Sequence, residues 1–122
     1  MTRKALILAV LLLVGSALVF AGNESTMGVG KVKTVTFSQP MKVGTSVLPV
    51  GTYTVAHVME GANHIMVFSS KTKGVPQVRV QCTMKTLVSR APQSSIMYDK
   101  DASGVAVLNG LIFKGDTYSH NF

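Results

Sequence analysis

With 122 residues, 47% of them hydrophobic and 14% charged, the chain is long enough for one domain with one core and too short for two. It carries 12 Lys and Arg against 5 Asp and Glu, a net charge of +7, and its single cysteine excludes an internal disulfide. The basic residues form no run longer than Lys31-x-Lys33 or Lys71-x-Lys73, a scatter that blunts strand edges and keeps a β-protein soluble.

Thr2-Arg3-Lys4 is a short basic opening, and residues 5–20 are apolar apart from Gly15 and Ser16. Val19-Phe20-Ala21 then puts a β-branched and a small residue at the −3 and −1 places of a signal-peptidase site. The pattern predicts a signal peptide over residues 1–21. An uncleaved anchor is the alternative, although a bilayer span needs ~20 apolar residues. Cutting after Ala21 leaves 101 residues, ten basic and five acidic, and a net charge of +5. The expected destination is periplasmic or extracellular, with membrane contact limited to the signal segment before cleavage. Export argues against nucleic acid as a partner and leaves an envelope protein, a polysaccharide or lipid headgroups.

Residues 22–30 are polar and glycine-rich and read as a flexible lead-in to a single β domain over residues 31–122. Residues 31–38 predict a strand, β-branched at Val32, Thr34, Val35 and Thr36 and stopped by Gln39-Pro40. Met41-Lys42-Val43 and Val47-Leu48 are short extended pieces around Gly44-Thr45-Ser46. Pro49-Val50-Gly51 is a turn, with φ preset at the proline and a permissive glycine two residues on. A strand over residues 52–59 follows, and Gly61-Ala62-Asn63 returns the chain through residues 64–68. Residues 75–87 hold the cleanest alternation, with Val78, Val80, Cys82 and Met84 on one side and Gln77, Arg79, Gln81, Thr83 and Lys85 on the other. Further strands are expected at residues 95–98, 105–108, 111–113 and 117–122, with Asn109-Gly110 marking a bulge or a turn. Closely spaced turns and no helical period after Ala21 predict an all-β fold, a small antiparallel β-sandwich or barrel of about seven strands.

Phe37-Ser38-Gln39-Pro40-x-x-Val43-Gly44, followed by Val47-Leu48-Pro49-x-Gly51-x-Tyr53, resembles a group of small secreted proteins known mainly from soil acidobacteria. That group shares a signal peptide, a Leu-Pro-x-Gly-x-Tyr hairpin and a late glycine-bounded strand much like residues 108–115. The resemblance implies an all-β exported domain. Its motifs are turn chemistry, so it carries no catalytic residues across.

The sharpest chemical candidate is the central hairpin. If Glu60 pairs with Asn63 around Gly61-Ala62, Met59 faces His64 and His57 faces Met66, and directly opposed side chains lie within ~5.5 Å at Cβ. Two imidazoles and two thioethers on one patch suit Cu(I). A three-residue loop would instead set His57 against Val67 and dissolve the patch, leaving the methionines as core fillers. Asp99-x-Asp101-x-Ser103-Gly104 matches the first half of a calcium loop but meets Gly110 where the closing Glu belongs, so a turn capped by its own aspartates explains it better. Cys82, on the apolar side of its strand, reads as a small inert hydrophobe. Glu24, Glu60, Asp99, Asp101 and Asp116 sit in the lead-in or in turns and read as solvated, and no hydrolase, metalloprotease or phosphate-loop motif occurs. The expected function is therefore an exported, non-catalytic binding or structural protein of the cell envelope without a cofactor. The alternative is a periplasmic Cu(I)-binding protein using His57, Met59, His64 and Met66.

Overall fold

The computed structural model describes residues 27–122. The predicted signal peptide, its cleavage site and the lead-in up to residue 26 lie outside the described residues. Nine strands follow in order, β1 Val32–Phe37, β2 Met41–Val43, β3 Ser46–Leu48, β4 Gly51–Glu60, β5 Asn63–Ser70, β6 Val78–Thr86, β7 Ser95–Lys100, β8 Ala106–Ile112 and β9 Tyr118–Asn121. Among the described residues there is no helix long and apolar enough to cross a membrane.

The strands form one open mixed sheet in the order β1-β4-β5-β6-β9-β8-β2-β3, with β7 on β8. Nine strands replace the expected seven or so because the pieces either side of Gly44 are strands that pair with each other, Met41 opposite Leu48 and Val43 opposite Ser46. The expectation of a purely antiparallel sheet fails at one place. β2 runs parallel to the start of β8, Met41 opposite Ala106, and β9 takes over along the same strand at Gly110 and Leu111. Residues 105–108 and 111–113, expected as two strands, are one, because Asn109-Gly110 is a local irregularity against Met97 and Tyr98 in β7.

Inward residues alternate with outward ones on β1 (Val35, Phe37), β4 (Tyr53, Val55, His57) and β6 (Val78, Cys82), whereas the central strand β5 is buried on both faces, Met66 and Phe68 on one and Ile65 and Val67 on the other. Residues from both ends of the strand order, Phe37 from β1 and Met41, Val43 and Leu48 from β2 and β3, share one core. The sheet therefore curls around a single apolar cluster. Phe37 sits at its middle, with ring centroids 5.5 Å from Tyr53 and 6.3 Å from Phe68. The Tyr53 hydroxyl donates to the Pro49 carbonyl at 2.6 Å, which ties the Pro-x-Gly turn to the core.

Gly61 decides the register of the central hairpin. It adopts φ +61° at the first central position of a two-residue turn, the geometry that only glycine takes easily and that matches strand twist. Glu60 pairs with Asn63, so Met59 faces His64, His57 faces Met66 and Val55 faces Phe68.

Candidate functional site

All three histidines of the chain meet at the hairpin end of this core. His57, on the inner face of β4 next to Met59 at the hairpin end, is fully buried, and its Nδ1 lies 3.0 Å from the Met27 carbonyl. A carbonyl can only accept, so Nδ1 carries the proton and Nε2 presents a lone pair. That lone pair lies 2.9 Å from Nδ1 of His64, which must therefore donate. His64 is left with its free lone pair on Nε2. The chain of bonds thus runs from a backbone carbonyl through His57 to His64 and fixes the tautomer of both rings.

β5 also pairs with β6, and there His64 stands directly opposite Cys82. Met59, His64 and Cys82 form one cross-strand row on the inner face, with a thioether and a thiol on either side of the imidazole. Directly opposed residues of this kind have Cβ atoms about 4.5–5.5 Å apart. Met59 is 40% exposed and His64 half-buried, so the row opens to solvent at the rim, while Cys82 closes it from inside. Burial pushes the Cys82 thiol above its ordinary value. Met66 lies one row deeper and is fully buried.

His120 completes the cluster. Its ring lies edge-on to His57 with centroids 5.4 Å apart, and its Nε2 is 3.1 Å from Oδ2 of Asp116, both residues being at most 1% exposed. Burial pushes the His120 imidazole below its ordinary value, and the Asp116 contact offsets this only in part. The neutral ring therefore donates from Nε2, and its Nδ1 is a buried lone pair with no partner among the described residues. Asp116 also accepts the Met27 amide N–H at 2.6 Å. Its loop is held by Gly115 at φ +88° and by the Gly115 N–H to Ala91 carbonyl and Asp116 N–H to Phe113 carbonyl bonds.

Met27 is thus gripped at both backbone atoms, its N–H by Asp116 and its C=O by His57, and it is 1% exposed. Gly30 N–H to the His57 carbonyl and His57 N–H to the Lys31 carbonyl extend the same attachment. From residue 27 onward the predicted lead-in is therefore docked on the sheet.

The four residues singled out from the hairpin share one face as expected. His57 spends both ring nitrogens on hydrogen bonds, and Cys82, read from its strand pattern as inert, stands in the row of His64. Asp116, read as a solvated turn carboxylate, is buried. Among the described residues no three His, Cys, Asp or Glu side chains converge where a metal ion could sit. The calcium-like loop is a capped turn: Asp101 Oδ1 accepts from the Ser103 N–H at 2.9 Å, the Ser103 hydroxyl at 2.7 Å and the Val105 N–H at 3.0 Å. No protein-family model, curated protein or solved structure matches the chain.

Proposed function

We propose that the chain is an exported, non-catalytic binding protein of the cell envelope and that the ion it binds is Cu(I), held by His64 Nε2, Cys82 Sγ and Met59 Sδ. The observation that carries this reading is the cross-strand row Met59–His64–Cys82, in which the hydrogen-bond chain from Met27 leaves the middle imidazole with its lone pair unspent. Thiolate, thioether and imidazole are the donor set that soft, low-coordinate Cu(I) prefers over harder divalent ions. His57 is then the residue behind the ligand, orienting His64 and fixing its tautomer as outer-shell partners of metal-bound histidines do. Binding must release the Cys82 proton, so affinity rises with pH. Among the four hairpin candidates, Met59 and His64 serve as ligands, His57 as support, and Met66 as core.

Export rests on the signal-peptide pattern of residues 1–21 and on the resemblance to small secreted all-β proteins. The curl of the sheet is best described as a barrel left open between β1 and β7, whose residues line a cavity of about 160 Å³ together with Leu111 and Phe113.

Anaerobic titration of the chain with Cu(I) against a chromophoric chelator tests the site. One Cu(I) per chain and a raised Tm are expected, since a ligand that binds only the folded state stabilises it by mass action. Cys82→Ser and His64→Leu should abolish binding, and Met66→Leu should leave it intact. Loss of binding in Met66→Leu with retention in Cys82→Ser would return the ligand set to the hairpin alone. No competition with the chelator at all would remove the metal reading.

A further inference from the structure

A cavity stands on the outer face of the sheet, away from the histidines. There the outward positions of β1, β4 and β5 are hydroxylated at one end. Thr34 stands opposite Thr54, Thr54 opposite Ser69, and Thr36 opposite Thr52. Elsewhere on this face the outward positions of β4 and β5 are Ala56, Val58, Ile65 and Val67. The hydroxyls do not lie on a flat surface. Thr34, Thr52, Thr54, Ser69, Lys71 and Thr72, with Tyr53, line a cavity of about 290 Å³. The volume is at the lower end of the range for small-molecule sites, the size of one sugar unit.

The polar groups fall into two sets. Part of them is committed to the protein: Thr52 Oγ1 lies 3.0 Å from Thr36 Oγ1, Thr54 donates to the Ser69 carbonyl at 3.3 Å, and Gln77 Nε2 donates to the Ser69 hydroxyl at 3.0 Å. These bonds fix the side chains and leave acceptor lone pairs on Thr54 and a donor on Ser69. The side chains of Thr34, Lys71 and Thr72 have no hydrogen-bond partner among the described residues. The lining therefore offers five aliphatic hydroxyls, which both donate and accept, and one ammonium, which only donates. It contains no carboxylate, so a negative group entering it meets attraction from Lys71 and no repulsion from the walls.

We propose that this cavity binds an anionic sugar unit with one acidic group, that group against Lys71 and Thr72 and its hydroxyls against Thr34, Thr54 and Ser69. The chemistry follows from the walls. A neutral sugar leaves the ammonium unpaired, a simple inorganic anion leaves the hydroxyl rows unpaired, and an apolar ligand leaves both. The excess of basic over acidic residues draws the same class of ligand toward the protein.

The experiment is a titration of ¹⁵N-labelled protein with glucuronate, glucose 6-phosphate and glucose, followed by amide shifts. Saturable shifts of the Thr34, Thr54, Ser69 and Thr72 amides at millimolar glucuronate or glucose 6-phosphate are expected, with glucose about tenfold weaker, the loss of one charge-assisted contact. The stronger of the two acids identifies the group as carboxylate or phosphate. Lys71→Met should erase the preference for the acids with unchanged Tm, and Thr54→Val should weaken all three sugars in a chain that still folds. Equal binding of glucose and the acids, shifts mapping elsewhere, or insensitivity to Lys71→Met would each overturn the proposal. His64→Leu, which empties the metal row, should leave this titration unchanged, so the two readings fail separately.

Discussion

Replacing Asp116 by Asn measures what the buried network holds. The carboxylate accepts two hydrogen bonds from buried donors, the Met27 N–H at 2.6 Å and His120 Nε2–H at 3.1 Å. Asn has the same shape but one acceptor, so one of the two donors must face an NH2 group. A buried donor left without a partner costs about 1–3 kcal/mol, and the bond that survives loses its charge assistance. We expect a loss of about 3 kcal/mol, a large share of the ~5–15 kcal/mol that holds a domain of this size together. At roughly 4–8 °C per kcal/mol, Tm falls by about 12–24 °C. Thermal melting followed by circular dichroism reads the loss. Hydrogen exchange locates it, because the Met27 amide should lose protection before the amides of β4 and β5. A drop in Tm below about 3 °C, or an unchanged Met27 amide, would show that Asp116 does not anchor the segment, and the account of the network would be wrong.

Burial holds His120 below its ordinary value, so the unfolded chain takes up that proton first as pH falls. The contribution is fully present above the ordinary histidine range near pH 6.5 and shrinks below it. The urea midpoint should therefore fall between about pH 7.5 and about pH 5.5, and less steeply in His120→Gln; a midpoint that rises on acidification refutes the burial argument. Gly110→Ala places a Cβ 2.6 Å from Met97 Cε, 2.9 Å from Asn121 Oδ1 and 3.2 Å from the His120 carbonyl. Met97 can swing away but the backbone carbonyl cannot, so a loss of about 1–2 kcal/mol is expected in chemical denaturation. Cys82 is buried with a raised thiol pKa, so a bulky aromatic disulfide should label it only as fast as the protein unfolds. Labelling of the native protein at the rate of a free thiol would place Cys82 at the surface.

The parts of this molecule that were legible in the sequence are those set by neighbours in the chain. Gly61-Ala62 between Glu60 and Asn63 carries the chemistry of a turn, so the facing of His57 with Met66 was one of two registers the sequence left open, and the positive φ of Gly61 selects it. The alternation from Val78 to Met84 likewise announces which side of β6 is buried. The parallel pairing of β2 with β8 joins Met41 to Ala106, and a three-residue strand carries too little pattern to reveal a partner that distant. Asp116 illustrates the same limit in a side chain. Beside Gly115 it has the local signature of a solvated turn, and what buries it is the Met27 amide 89 residues earlier. The row through Cys82 depends on where β6 enters the sheet after the connection over residues 71–77, which no local rule specifies.

His57 joins these two kinds of information. Its position in the hairpin is local and predictable, yet its chemistry is set by Met27 and His64 from either side. Packing alone gives no reason for an imidazole at a fully buried site, where an aliphatic side chain would fill the volume without polar atoms to satisfy. What the imidazole adds is a donor on one edge and an acceptor on the other. It can satisfy a backbone carbonyl of the docked N-terminal segment and, through the same ring, hold the proton of His64 inward. An aliphatic residue here would leave the Met27 carbonyl unpaired and His64 free to turn and to choose either tautomer. The residue that secures the first described segment is thus also the one that aims the lone pair at the rim, and core and site share a single hydrogen-bond chain.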